Sequence, residues 1–402
     1  MLNINKFISE NITLRKESMF LRDIEDNRQR LEQEIKGKKV LVIGGGGTIG
    51  SSFIRALLPF EPKTLVVVDI SENYLTELTR DLRSTMNMYV PKDYRTYPLN
   101  YADPIFEKIF LKEGGFDIVA NFSAHKHVRS EKDQYSVEAL IENNDLKAKR
   151  LMELLVRYRP KHFFCVSTDK AANPVNIMGC SKKVMEEMIM SYKEDFPITT
   201  ARFANVAFSN GSLLAGFIDR LIKHQPMSSP MDVKRYFVSP DESGQICLLA
   251  CVLGKSGEIF FPKLKEKQMM TFSSICDKFL QTLGYKIKYC QSENEAKEYA
   301  ATMAQDTDTY PVYYFASDTT GEKSFEEFYV EGETINFDRF SSLGVIENYP
   351  ARDKAEIDKF YKELETLFQK EDFAKSEVVE LLKTFIPNFT HEEKGKNLDE
   401  KM

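Results

Sequence analysis

No run of this sequence is apolar for long enough to cross a bilayer, which excludes a spanning helix. Also missing is the basic excess that would recruit nucleic acid. Lysine and arginine number 55 against 61 aspartates and glutamates, a formal net charge of -6. The six cysteines (Cys165, Cys180, Cys247, Cys251, Cys276 and Cys290) include no Cys-x-x-Cys pair, and several lie in apolar segments where a thiol packs as a small hydrophobe. Reduced structural thiols are therefore expected. The amino terminus, MLNINKFISENITLRKES, lacks the apolar block of a signal peptide, so a cytoplasmic protein without membrane insertion is expected.

What is present is enough apolar residue for a large core, 42% of 402 residues, with 29% charged to cover it. Residues 1–36 are charged, with Phe20, Leu21, Ile24 and Leu31 near helical spacing, and read as an amphipathic helical arm. From Lys38 onward, short β-branched runs alternate with helical stretches: KVLVIG, TLVVVD, YRTYPL, FDIVAN, HFFCVS and ITTARFANV. Such alternation predicts an α/β fold, a Rossmann-like doubly wound parallel sheet over residues 37–206. Helices are expected near Thr48, Glu72, Pro104, Ser136 and Ile177, the second capped by Ser71. Residues 207–350 read as a smaller substrate-binding lobe with some strands returning to the sheet. Residues 351–402 read as a helical extension ending in the polar tail HEEKGKNLDEKM.

Two motifs carry chemistry. The first is the turn Gly44-Gly45-Gly46-Gly47-Thr48-Ile49-Gly50, between the strand KVLVI and the helix TIGSSFIRALL. Gly44 allows a tight turn, Gly47 lets the backbone approach a diphosphate, and Gly50 permits close helix packing, while the helix start at Thr48 and Ile49 offers N–H groups. Asp69 ends the next strand, where its carboxylate would accept from a ribose diol and repel a 2′-phosphate; this favours NAD, with NADP the alternative. Asn100, ending the third strand, is either an adenine contact or a turn former.

The second motif is VSTDKAANPVNIMGCSKK, Val166 to Lys183, where a strand ends in Ser-Thr-Asp-Lys and a lysine-bearing helix follows. Together with SAHKHV (123–128), RFANVAFSNGS (202–212), KRYFVSPDES (234–243) and SDTTGEKSFEEFY (317–329), it makes the chain resemble extended short-chain dehydrogenase/reductases. Among these it is similar to the polysaccharide-biosynthesis UDP-N-acetylglucosamine 4,6-dehydratases, over about residues 37 to 350. The resemblance implies NAD in one lobe, a UDP-sugar across the cleft, a homo-oligomer and a place in bacterial surface glycan synthesis. It implies a cycle of oxidation at carbon 4, loss of water across carbons 5 and 6, and hydride return to carbon 6.

By the same resemblance, Thr168 binds the carbon 4 oxygen, Asp169 is the acid at carbon 6, and Lys170 is the base at carbon 5. A neighbouring cation, Lys126 or Lys182, would lower the pKa of Lys170. Lys182 would hold the nicotinamide ribose. Met178 stands where relatives commonly carry tyrosine, as it does in a methionine-containing subgroup, and its thioether cannot take the carbon 4 hydroxyl proton. That role would pass to Asp169, Lys170 or a water.

Ser123, Lys126 and His127 fall beside the cofactor or sugar, and the usual proline after this segment is Arg129. Asn144 either approaches the nicotinamide or caps its helix. Asn205 and Arg235 match positions near the substrate diphosphate, an exposed salt bridge being the alternative for Arg235. His125 and His127 lack a carboxylate-rich partner motif, so no metal is expected. The alternatives carried forward are a 4-epimerase or 4-oxidase, and a non-catalytic NAD or nucleotide-sugar-binding regulatory protein.

Overall fold

The apolar β-branched runs form the centre of the molecule. A computed structural model describes residues 2–128, 131–304, 306–317, 323 and 325–391. Its strands are β1 (Lys39–Ile43), β2 (Thr64–Asp69), β3 (Asp93–Pro98), β4 (Ile118–Asn121), β5 (His162–Val166), β6 (Ile198–Ala201), β7 (Glu258–Pro262), β8 (Thr334–Asn336) and β9 (Leu343–Glu347). Among the described residues these nine make one sheet in the order β8-β9-β7-β6-β5-β4-β1-β2-β3. β1 to β7 run parallel, β9 lies antiparallel to β7, and β8 antiparallel to β9. Residues of β1, β2, β4 and β5 are almost all buried, as expected of strands covered on both faces. The chain leaves β1 toward β3 and then returns to lay β4 on the other side of β1. This reversal opens a crevice at the carboxyl ends of the strands.

The helices follow their caps. α1 (Thr48–Leu57) starts at Gly47, and α2 (Glu72–Ser84) is capped by Ser71, whose hydroxyl accepts the Tyr74 N–H. α3 is Pro104–Glu113. α4 (Gln134–Ile141) starts two residues ahead of the expected Ser136, because Asp133 caps it and Ser136 completes a reciprocal capping box. A π turn at Glu142–Leu146 leads into α5 (Lys147–Arg157), and Asn176 caps α6 (Ile177–Met190). Then follow α7 (Leu213–Ile222), α8 (Pro240–Leu253) and α9 (Phe272–Thr282). α8 lies directly on α1, and a Cβ added at Gly244 would fall 2.2 Å from the Ser52 carbonyl oxygen.

ITTARFANV is not one strand. β6 ends at Ala201, the buried Arg202 turns the chain, and Asn205–Val206 pairs with Phe237–Val238 in a separate ladder. Beyond it, a second core gathers Phe217, Ile275, Phe279, Tyr310 and Val312 beneath three parallel strands, Lys286–Tyr289, Thr309–Phe315 and Met227–Pro230.

The amino-terminal segment differs from the single arm expected. Phe7, Ile8 and Ile12 enter the second core, whereas Phe20, Ile24, Leu31 and Ile35 enter the main one. Leu21 is exposed. Between these two anchorages Arg15 grips Glu242 with two hydrogen bonds of 2.7 Å, and the Asp23 carboxylate accepts the backbone N–H groups of Ser341 and Ser342. The carboxy-terminal helices α10 (Lys354–Phe368) and α11 (Lys375–Phe385) pack on α6 and belong to the main core through Phe360, Tyr361, Leu364 and Phe385. As a result every residue of α6 is buried. The tail from residue 392 lies outside the described residues, as does Arg129.

Candidate active site

At the reversal in strand order lies a cleft of about 380 Å³, lined by the glycine turn, Asp69, Leu99, Tyr101, Ser123, Lys126, His127, Asn210 and Gly211 among others. Gly44 has a φ of +73°, and a Cβ there would sit 2.7 Å from the Ser123 nitrogen. At Gly50 a Cβ would lie 2.4 Å from the Gly44 carbonyl oxygen, so α1 approaches the turn only as glycine allows. At Gly47 nothing lies nearer than 3.5 Å, which leaves its backbone open to the cleft. No side chain caps α1, so the N–H groups of its first turn lack a capping partner, as an anion site at a helix start requires.

Two backbone groups orient Asp69: Oδ2 accepts the Gly46 N–H at 3.0 Å and Oδ1 the Ser71 N–H at 2.9 Å. The open turn, the bare helix start and this oriented carboxylate fit the diphosphate and ribose diol of a dinucleotide. Asn100 is the turn former. Its side-chain oxygen accepts the Ala102 N–H at 3.0 Å, and the cleft is lined by its neighbours Leu99 and Tyr101.

The segment after β4 closes the other wall. Lys126 Nζ donates to the Asn210 carbonyl at 2.9 Å while the Asn210 N–H donates to Thr48 Oγ1 at 2.9 Å, so one residue ties the wall to the helix start. The His127 ring lies against Gly211. Asn144 is neither a cap nor a cleft residue. Buried within the π turn, it accepts the His125 N–H at 2.7 Å and donates to the His125 carbonyl and to Ser181 Oγ, both at 3.0 Å. It pins the cleft wall to α6.

Farther along the same carboxyl edge, β5 delivers Thr168, Asp169 and Lys170. Thr168 Oγ1 donates to Asp169 Oδ1 at 2.9 Å, and Lys170 Nζ donates to the same oxygen at 3.1 Å. Glu326 is the partner that sequence reasoning missed, 3.6 Å from Lys170 Nζ and 3.8 Å from Arg235. Its only sequence signal was membership of the SDTTGEKSFEEFY run, part of which lies outside the described residues. Lys170 is the most open of the four, its side chain 16% exposed against 3–6% for Asp169, Glu326 and Arg235. Burial alone would lower the Lys170 pKa, but Asp169 and Glu326 outweigh both burial and Arg235 and hold it above its ordinary value.

Three expectations change here. The cation beside Lys170 is Arg235, in place of Lys126 or Lys182. Arg235 is buried rather than exposed, donating to the carbonyls of Lys234 and Lys323 and pairing with Glu326 beside Lys170. Lys182 is turned into the core, its ammonium 3.2 Å from the Met185 sulfur. Nearby, the Asp145 carboxylate is fully buried with no hydrogen-bond partner among the described residues; burial drives its pKa well up, and Lys182 pulls against that rise. Met178 is buried, its N–H bonded to Glu131 Oε1, and offers no group to a proton. Asn205 joins the Tyr236 carbonyl through its backbone, across the ladder from Phe237, whereas Arg235 lies in a separate short strand, Lys234–Arg235, paired with Met270–Thr271.

A family model described as polysaccharide biosynthesis protein matches residues 40–347. The chain belongs to this family. An uncharacterized membrane protein of Methanocaldococcus jannaschii is 29% identical over 80% of this chain and 89% of its own length. Capsular polysaccharide biosynthesis protein CapD of Staphylococcus aureus is 30% identical over 57% of this chain, which spans only 38% of that relative. The UDP-N-acetylglucosamine 4,6-dehydratase (inverting) of Campylobacter jejuni is 23% identical over 69% of this chain and 81% of its own.

Among solved structures, Pen from Bacillus thuringiensis superimposes with a TM-score of 0.63 at 19% identity, covering 88% of this chain and 98% of that one. A UDP-N-acetylglucosamine 4-epimerase from Methanobrevibacter ruminantium scores 0.55 at 16%, covering 88% and 100%. DesIV, a dTDP-glucose 4,6-dehydratase from Streptomyces venezuelae with NAD bound, scores 0.52 at 18%, covering 70% and 88%. These likenesses show a shared α/β fold with a Rossmann-like sheet. No helix among the described residues is long and apolar enough to cross a membrane.

Proposed function

We propose that the protein is an NAD-dependent nucleotide-sugar 4,6-dehydratase, acting on UDP-N-acetylglucosamine in the synthesis of a surface glycan. The observation that carries this reading is the hydrogen-bonded chain Thr168–Asp169–Lys170 on the same carboxyl edge of the sheet as the cleft lined by the glycine turn and Asp69. Oxidation or epimerisation at carbon 4 needs no such buried acid and amine, whereas elimination needs both. NAD, when bound, supplies the acceptor for the carbon 4 hydride and returns it to carbon 6. Gly47, the start of α1 and Asp69 would hold it.

The residues can balance the protons without tyrosine. Thr168 would bind the carbon 4 oxygen and relay its hydroxyl proton to Asp169 through the 2.9 Å hydrogen bond. Asp169, now neutral, would deliver that proton to the hydroxyl leaving carbon 6, and water departs. Lys170 in its neutral form would remove the carbon 5 proton and later restore a proton there. The carbon 4 hydroxyl proton thus ends in water, and no base is required at Met178. The inward-facing Lys182 is the observation that favours the rival reading, a binding protein without catalysis.

Mass spectrometry of UDP-N-acetylglucosamine incubated with the protein and NAD in deuterated water separates the cases. Loss of one water with deuterium gained at carbon 5 is expected. An unchanged mass would overturn the dehydratase reading.

A further inference from the structure

Glu326 is buried at the end of a segment clamped on both sides of it. Arg202, fully buried, donates to the Phe328 carbonyl at 3.0 Å and holds both oxygens of Glu333 at 3.0 and 3.1 Å. Asn173 donates to Glu327 Oε2 at 2.9 Å, and Arg235 donates to the Lys323 carbonyl at 3.0 Å. The segment is thereby fixed to Arg202 just past β6, to the turn after Lys170 and to Arg235. Among its described residues, Glu326 is the carboxylate set beside Lys170, 3.6 Å from Nζ.

The proton arithmetic leaves one position unfilled. Lys170 must be neutral to take the carbon 5 proton, yet its two carboxylate neighbours favour the ammonium. Asp169 cannot relieve it, because Asp169 must stay ionised until the carbon 4 hydroxyl proton arrives through Thr168. We infer that Glu326 holds the Lys170 proton during elimination, a role that rests on the dehydratase reading above. An N–H bond of the ammonium breaks and an O–H bond forms on Glu326, so an ion pair becomes a neutral pair with no change in net charge. When carbon 5 is reprotonated by Lys170, Glu326 returns the stored proton and the resting state is restored.

The surroundings suit this exchange. The charged groups facing Glu326 are Lys170, Asp169, Arg235 and Lys323; burial raises its pKa, Lys170 opposes that rise, and Asp169 adds to it. A sugar seated on Lys170, the one open member, would expel the remaining water. A dry pair of opposite charges is then disfavoured against its neutral form. Glu326 is a positioning residue, acting through Lys170 and not on the sugar.

The test is Glu326→Gln, with Glu326→Asp as the conservative control, in full-length protein assayed with UDP-N-acetylglucosamine. At neutral pH, Glu326→Gln should lose about 100-fold in kcat, the scale of a lost proton acceptor, with little change in KM. Its rate should recover toward wild type as pH rises, because solvent then deprotonates Lys170 unaided. Oxidation at carbon 4, seen as reduced nicotinamide absorbance in a single turnover, should survive in Glu326→Gln, and Glu326→Asp should keep part of the neutral-pH rate. A role as mere counter-ion predicts the opposite sign, since removing the carboxylate lowers the Lys170 pKa and moves activity to lower pH. That shift, an unchanged rate, or a loss equal at every pH would overturn the inference. Failure of wild-type protein to dehydrate the substrate would remove the reading beneath it as well.

Discussion

Asp69 shows how backbone groups can orient a single carboxylate. Two backbone N–H groups, from Gly46 and Ser71, fix its plane and leave the remaining lone pairs to the cleft. A hydrogen bond to a charged group is worth about 1.5–3 kcal/mol. Asp69→Ala should therefore weaken NAD roughly ten- to a hundred-fold in a calorimetric titration while the sugar product stays the same. Unchanged affinity would remove Asp69 from the site. Asp69 was legible from sequence because strand, glycine turn and acid recur at a set spacing. Lys182 was less so: the turn of α6 on which it lies was predictable, but its rotamer answers to Met185 and Asp145, which only packing brings together. Glu326 could not be assigned at all, since its partners come from distant parts of the chain.

At the scale of elements, the parallel strands and their helices were readable from alternation and caps, and the ends of the sheet were not. β8 and β9 are short, and their segment carries no periodicity that would separate it from a loop. Pairing with β7 makes them strands. The junction of α1 and α8 was equally hidden, because glycine at position 244 has a reason only once Ser52 lies opposite it. With 2.2 Å between an added Cβ and the Ser52 oxygen, Gly244→Ala should push the helices apart. A cost of about 1–3 kcal/mol is expected, the range for overpacking, visible as a lower urea midpoint with the slope unchanged. Equal stability would mean that the two helices slide freely. α1 also starts the dinucleotide turn, so the same variant should bind NAD more weakly.

For the whole molecule, the amino-terminal segment is a tie between two cores, with Arg15 and Glu242 at its middle. Truncating one member of a buried pair costs about 3–5 kcal/mol, and less here because Glu242 keeps the Ser239 and Met19 N–H groups. Arg15→Ala should therefore raise hydrogen exchange across residues 4–12 before it affects β1 to β6. Uniform exchange in the two regions would show that the cores already open together.

The sheet order has a consequence for synthesis. β6 stays an open edge until β7 has emerged, and β7 lies more than fifty residues later in the chain. The nascent protein therefore carries β1 to β6 with an unpaired strand at their border, one that is wholly buried in the finished sheet. Such a border invites pairing with other chains. Lys170 meets Glu326 later still, so a ribosome-bound fragment ending before that glutamate still lacks the second carboxylate that faces Lys170.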